Sequence, residues 1–213
     1  MRTVLITGAS GGLGSAVVAA FQAQGDRVIG VSHPEYDLTR PEEAARAVAS
    51  ATAAAGAAPQ VLIHLMGGFA GGQPVAGTDD GTWRRMMAMN VDSAFYMARA
   101  AVPGMVAAPG GRIVMIGSRT AVEPAANLAA YGASKAALVA LVRTLALELA
   151  PHGATANVVL PGVMDTPGNR AAMPTADFGA WVAPATVAKL IVWLAGADAG
   201  DISGAAIPIY GRS

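Results

Sequence analysis

Tyr131 and Lys135 stand four residues apart in Tyr131-Gly132-Ala133-Ser134-Lys135-Ala136-Ala137-Leu138, a stretch of helical composition, so one helix face carries both side chains. A phenol with a reference pKa of about 10 is a poor acid or base at neutral pH, but an ammonium held beside it favours the phenolate and lowers that value. Such a pair can give a proton to a carbonyl oxygen while hydride arrives at the carbon. An exposed Tyr and Lys on an amphipathic helix is the plainer alternative. Ser118 follows the apolar run Ile113-Val114-Met115-Ile116-Gly117. At the carboxyl end of a strand its hydroxyl can hydrogen-bond the reacting oxygen, or serve only as a turn or cap residue. Asn90 interrupts a mostly apolar helical segment; its amide can hold a water linking Lys135 to solvent, or be a satisfied core group.

A chemical partner for this group lies near the start of the chain, where Val4-Leu5-Ile6 leads into Thr7-Gly8-Ala9-Ser10-Gly11-Gly12-Leu13-Gly14. A strand ending at Thr7, then glycines that allow a tight turn, would bring the backbone against a pyrophosphate at the N-terminus of a helix over 13 to 24. The spacing of Gly8, Gly12 and Gly14 differs from G-x-G-x-x-G, whose third glycine would fall at Val17. A glycine-rich turn without ligand is the alternative. Together, the turn and the Tyr-Lys pair suggest nicotinamide-dependent hydride transfer.

These residues need a scaffold, and the hydrophobic pattern supplies one. Strand-like runs at 3 to 7, 27 to 32, 61 to 66, 112 to 117, 155 to 160 and 206 to 210 alternate with helical segments near 13 to 24, 41 to 55, 79 to 107, 130 to 150 and 184 to 195. This predicts a single-domain, Rossmann-like, doubly wound parallel α/β sheet over 1 to 213, with ligands at the carboxyl ends of the strands. Only His33 to Tyr36 separate the second strand from Asp37-Leu38-Thr39, whereas a parallel crossover takes about a dozen residues or more. The usual third, edge strand is therefore expected to be absent or vestigial.

Composition narrows the partners. The 213 residues carry no net charge and no block of like charges, which offers no footprint for nucleic acid or an anionic membrane and suits a small-molecule substrate. Cysteine is absent, so disulfides and thiolate catalysis are excluded, and no metal site is expected. Apolar stretches are broken before membrane-spanning length, as by Arg143 and Glu148, and no signal peptide is evident, which reads as cytoplasmic. With 54% hydrophobic and only 13% charged residues, some apolar helix faces are expected to meet another subunit.

The ordered set Thr7-Gly8-x-x-x-Gly12-x-Gly14, Asn90, Ser118, Tyr131-x-x-x-Lys135 and Pro161-Gly162 resembles the short-chain dehydrogenase/reductase family across the whole chain. The resemblance implies an NAD(P)-dependent oxidoreductase with Tyr131 as proton donor or acceptor, Lys135 on the nicotinamide ribose, Ser118 orienting substrate and Asn90 holding a relay water. It also implies a cofactor site of Gly8, Ser10, Gly11, Gly12, Leu13 and Gly14, with Asp37 and Leu38 at the adenine. Gly67, Gly68, Pro161, Gly162 and Val163 would line it, and Thr166 would contact the carboxamide. Family members pack helices such as those at 79 to 107 and 130 to 150 across a two-fold axis, so a homodimer or homotetramer is expected, with Leu141 and Leu145 on the shared face.

Two departures and one closer likeness refine this. In place of Asn-Asn-Ala-Gly the chain has His64-Leu65-Met66-Gly67-Gly68, which keeps the close backbone approach but loses the Asn side chains that brace the sheet; His64 reads as a packed strand residue. No acidic residue ends the second strand to bind ribose hydroxyls, and no Arg stands there. Ser32 and His33 occupy the place and leave room for a 2′-phosphate, which favours NADP(H) over NAD(H). The stretches Leu65 to Gly72 and Asp165 to Trp181 look like dihydropteridine reductase and its bacterial relatives. That likeness makes Asn169, Arg170, Phe178 and Trp181 candidates for shaping or closing the substrate pocket, with Phe178 and Trp181 as mere loop anchors the alternative. It also keeps a pterin or quinone reductase as the second enzymatic reading. A redox-sensing module without turnover is the third.

Overall fold

Residues 1 to 108 and 110 to 212 are described by a computed structural model. The chain runs β1 (Thr3–Thr7), α1 (Gly14–Ala23), β2 (Arg27–Val31), α2 (Pro41–Ala55), β3 (Val61–His64), α3 (Asp80–Met87), α4 (Ser93–Ala107), β4 (Arg112–Ile116), α5 (Ala129–Leu149), β5 (Thr155–Pro161), α6 (Pro167–Ala172), α7 (Pro184–Leu194) and β6 (Ala206–Ile209). The six strands form one parallel sheet in the order β2-β1-β3-β4-β5-β6. The order reverses between β1 and β3, and the carboxyl ends of strands at such a switch point are where open α/β sheets take ligands.

The strands are apolar on both faces, as buried parallel strands must be. Leu5, Leu62, Ile113, Met115, Val158 and Leu160 pack with residues of α2, α4 and α5. Val4, Ile6, Val61, Ile63, Val114 and Val159 turn the other way, toward Val17 and Phe21 of α1 and Val187 and Ile191 of α7. That alternation is the period of two that a strand imposes on its side chains. Among the described residues β2 pairs only with β1 and no strand lies beyond it, the chain passing from it through Asp37-Leu38-Thr39 into α2.

Two differences from the sequence pattern bear on the site. The single helix expected over 79 to 107 is divided by a π-helical turn, Ala88–Asp92, which carries Asn90 into the interior. Single π turns of this kind re-aim side chains within otherwise regular helices. β3 ends at His64 rather than running on to 66, because the N–H groups of Leu65 and Met66 turn to the Thr7 hydroxyl at 3.2 and 3.3 Å.

Candidate active site

The glycine turn follows β1 and leads into α1. Gly8 adopts φ +68°, a left-handed conformation that glycine accepts without a Cβ penalty. At Gly14 a Cβ would lie 2.2 Å from the Gly8 carbonyl oxygen, so only glycine lets the helix begin this close to the turn. The turn is tied to β2 where Gly8 N–H donates to the Val31 carbonyl (2.9 Å) and Ser10 N–H to the Ser32 hydroxyl (3.1 Å). A Cβ at Gly12 would meet the Thr166 methyl at 3.0 Å, which brings the turn and the segment after β5 to the two sides of one crevice. In the first turn of α1, Ser15 and Val17 N–H donate back to the Gly11 (3.3 Å) and Leu13 (3.1 Å) carbonyls, and no acidic side chain stands there. That is a cradle suited to an anion, and its glycines fit a pyrophosphate lying directly on the backbone.

At the far end of β2, Asp37 is exposed and its Oδ1 accepts from Thr39 N–H (3.1 Å) and hydroxyl (2.6 Å). The Thr39 hydroxyl, above all, holds its carboxyl below the usual range, with nearby Arg40 and His33 adding to the effect. Leu38, at 2% exposure, packs into the core with its side chain. Pro161 closes β5, and a Cβ at Gly162 would lie 2.6 Å from the Tyr210 carbonyl oxygen. Val163 accepts from Val182 N–H at 2.9 Å, and Thr166 caps α6 by accepting from Asn169 N–H.

The reactive group gathers where α5 meets the ends of β3 and β4. Lys135 is buried and donates to the Ile116 carbonyl at 2.9 Å; burial lowers its pKa to about 8. Tyr131, one turn earlier, interacts with the Ser118 hydroxyl, yet burial outweighs that and raises its pKa. This reverses the expected direction for the phenol. The ammonium lies 6.0 Å from the ring centroid and is engaged with a carbonyl, so desolvation dominates over any stabilisation of the phenolate. The Ser118 hydroxyl accepts from Thr120, both N–H (3.3 Å) and Oγ1 (3.0 Å), which fixes it after β4.

Asn90 is buried and its amide is spent on protein groups. It accepts from Gly68 N–H (2.9 Å) and donates to the Gly68 carbonyl (3.0 Å) and the Ser134 hydroxyl (2.9 Å). It thus clips the loop after β3 to α5. A Cβ at Gly67 would fall 2.7 Å from Asn90 Oδ1 and 3.1 Å from Lys135 Nζ, so this backbone passes directly over both residues.

The brace expected to be lost with the Asn side chains is supplied by His64 instead. Thr7 Oγ1 accepts from the N–H groups of Leu65 and Met66, so its own hydrogen goes to His64 Nδ1 at 3.0 Å. Ser93 Oγ donates to the Met89 carbonyl (2.8 Å) and so accepts from His64 Nε2–H at 3.2 Å. The imidazole is neutral, its hydrogen on Nε2, and burial followed by the Lys135 charge lowers its pKa to about 3.

The segment after β5 uses its polar residues internally. Arg170 forms a bidentate pair with Asp165 (2.5 and 2.8 Å) and lies over the Phe178 ring at 4.6 Å, and Phe178 contacts Trp181 at 4.8 Å. Asn169 donates to the Met164 carbonyl at 2.8 Å. Sequence reasoning missed α6 itself, although Thr166 before Pro167 is a recognisable cap followed by a proline at the first helical position. It also missed Phe69, 68% exposed yet edge-on to Tyr131 at 4.9 Å.

The parallel sheet, the glycine cradle at its switch point and the Tyr–Lys helix define a dinucleotide-binding oxidoreductase. Residues 30 to 177 match the short chain dehydrogenase family, and the chain belongs to it. It is 32% identical to the 3-oxoacyl-(acyl-carrier-protein) reductase MabA of Mycobacterium tuberculosis, over 99% of this chain and 92% of that one. It is 29% identical to dihydropteridine reductase of Dictyostelium discoideum, over 100% of this chain and 96% of that one. Among solved structures, a blue fluorescent protein from a metagenomic library, in complex with NADPH, superposes with a TM-score of 0.85 at 28% identity, covering 99% of this chain and 97% of that one. The protein is accordingly an NAD(P)-dependent oxidoreductase. Among the described residues no helix is long and apolar enough to cross a membrane, and no cluster of His, Cys, Asp and Glu could hold a metal ion.

Proposed function

We propose that the protein interconverts a small carbonyl compound and its alcohol, with Tyr131 as general acid and base. The observation that carries this reading is the Tyr131 hydroxyl beside the Ser118 hydroxyl at the end of β4, one helical turn from buried Lys135. When bound, the nicotinamide supplies or receives the hydride. In reduction the carbonyl oxygen accepts hydrogen bonds from Ser118 and Tyr131. As hydride adds to the carbon, the Tyr131 proton passes to the oxygen, leaving a tyrosinate that the nearby ammonium of Lys135 stabilises. Ser118 orients the substrate, and Asn90 keeps Gly67 and Gly68 seated against the cofactor's side of the cleft.

The pyrophosphate would rest on the turn from Gly8 to Gly14, the adenine beside Asp37, the nicotinamide ribose on Lys135 and the carboxamide against Val163 and Thr166. We infer NADP(H) in preference to NAD(H). Ser32 and His33 follow the end of β2, where a ribose-binding carboxylate is lacking, and Arg40 lies near enough to lower the Asp37 pKa. The test is oxidation of NADH and NADPH against aliphatic and aromatic ketones, quinones and freshly made quinonoid dihydropterin. Ketone turnover, faster with NADPH, is the expected result. Turnover of dihydropterin or quinone alone would favour the second reading, to which the likeness to dihydropteridine reductase and the exposed Phe69 lend support.

We also infer a homodimer or homotetramer. Phe95 on α4 and Leu147 on α5 leave 43% and 78% of their surface exposed, apolar side chains available to a partner. Leu145 belongs to the core at 7% exposure, because its phase on α5 points it at the sheet, and Leu141 is half-buried, so neither tests the interface. Leu147→Lys combined with Phe95→Lys is expected to reduce the mass seen by light scattering; an unchanged mass would place the interface elsewhere.

A further inference from the structure

We propose that the cavity beside Tyr131, walled by Phe69 and Arg85, is a substrate subsite for a planar group bearing a carboxylate. The proposal rests on the carbonyl chemistry assigned above and adds what the rest of the substrate must be.

The cavity, of about 380 Å³, lies between the loop after β3, the first turns of α3 and the start of α5. Its lining includes Ala130, the residue immediately before Tyr131, and Phe69, whose ring meets the Tyr131 ring edge-on at 4.9 Å. Tyr131 and Ser118 do not themselves line it, and Phe69 is the link: a substrate with its carbonyl at Tyr131 that reaches past the Phe69 ring enters this space. Phe69 leaves 68% of its surface uncovered. An aromatic face so placed favours a flat group stacked or tilted against it.

The polar lining is rich in unspent donors. Arg84 pairs with Asp80, but the guanidinium of the neighbouring Arg85 has no ion pair or hydrogen bond among the described residues. Its guanidinium presents five N–H donors in a fork that matches a carboxylate. Gln73 and Asn127 also line the cavity, and neither side-chain amide has a hydrogen-bond partner among the described residues. The one carboxylate present, Asp79, is committed to capping α3. Its Oδ1 accepts from Thr82 N–H (2.8 Å) and its Oδ2 from the Thr82 hydroxyl (2.8 Å). The capacity left over is thus cationic and donating, which calls for an anionic acceptor.

The backbone of this wall is specially shaped. Asn127 is the one non-glycine residue with positive φ among the described residues, at +64°. Its carbonyl accepts from Gly72 N–H at 2.9 Å, and a Cβ at Gly71 would lie 2.2 Å from a Leu128 methyl. Strain of this sort persists where surrounding contacts over-determine it and clusters at ligand sites. Here it ties the loop carrying Phe69 to the residues that lead into Tyr131.

The decisive comparison is 4-acetylbenzoate against acetophenone, ring-matched ketones that differ by the carboxylate. With NADPH, wild-type kcat/KM is expected to favour 4-acetylbenzoate. Arg85→Gln is expected to reduce that preference by about 10-fold or more through KM, and Arg85→Lys to retain part of it. A wild-type preference for acetophenone, or an unchanged ratio in Arg85→Gln, would overturn the subsite. Calorimetric titration of 4-acetylbenzoate into the NADP⁺-loaded protein separates this from failure of the carbonyl reading. If neither ketone turns over but binding weakens in Arg85→Gln, the subsite stands and the reaction assignment falls. Equal affinities, or no binding to the wild-type protein, would reject the subsite.

Discussion

A Tyr131→Phe variant is expected to bind NADPH as the wild-type protein does and to lose turnover by about 100- to 10,000-fold, the range that a positioned general acid contributes. Only the hydroxyl is removed, so the ring keeps its edge contact with Phe69 and its place on α5. Fluorescence titration of NADPH beside steady-state kinetics separates the two effects. Near-normal turnover in the variant would exclude the phenol as the proton donor. Output of some other kind, unaffected by the substitution, would point to a redox sensor. The direction of the reaction adds a sign. Burial raises the Tyr131 pKa, so in the free enzyme the phenol keeps its proton at neutral pH. It is then ready as an acid for reduction, whereas alcohol oxidation needs the phenolate and should climb as pH rises. Lys135, with a pKa of about 8, loses its charge across the same alkaline range, which limits that climb.

What the sequence made legible follows from how far apart the cooperating residues lie. Tyr131 and Lys135 share a helix face by local geometry, and the glycines of the first turn announce a strand-to-helix corner by themselves. The missing edge strand was readable from loop length alone, since residues 33 to 36 cannot hold a crossover. The π turn at Asn90 was not, because the backbone that its side chain engages, at Gly68, lies 22 residues away. For Asn169 and Arg170 the sequence showed the residue types but not their local bonds, to the Met164 carbonyl and to Asp165, both within five residues. Arg85 carried no signal at all, because an unpaired cation becomes informative only once the cavity around it is known.

Acid sensitivity centred on His64 is the second large effect expected. Its partners, Thr7 and Ser93, stand 57 and 29 residues away, so one imidazole joins the end of β1, the end of β3 and the first residue of α4. Protonation would put a hydrogen on Nδ1 against Thr7 Oγ1, whose lone pairs already face two N–H groups, and a second charge near Lys135. In the unfolded chain this histidine takes up a proton at a pH of about 6.5, and in the folded protein only at about 3. The unfolded state binds more protons between these values. Stability from this group is therefore fully present above about pH 6.5 and is lost progressively as pH falls toward 3. The loss is about 2 kcal/mol at pH 5 and on the order of 5 kcal/mol over the whole interval. Urea unfolding of wild type and His64→Gln at pH 7 and pH 5 isolates it, because carboxylates titrating in the same range contribute equally to both proteins. The variant is expected to be less stable at pH 7, having lost the fitted bridge, but to fall less on acidification. Parallel losses in the two proteins would show that the imidazole is not the group that takes up the proton.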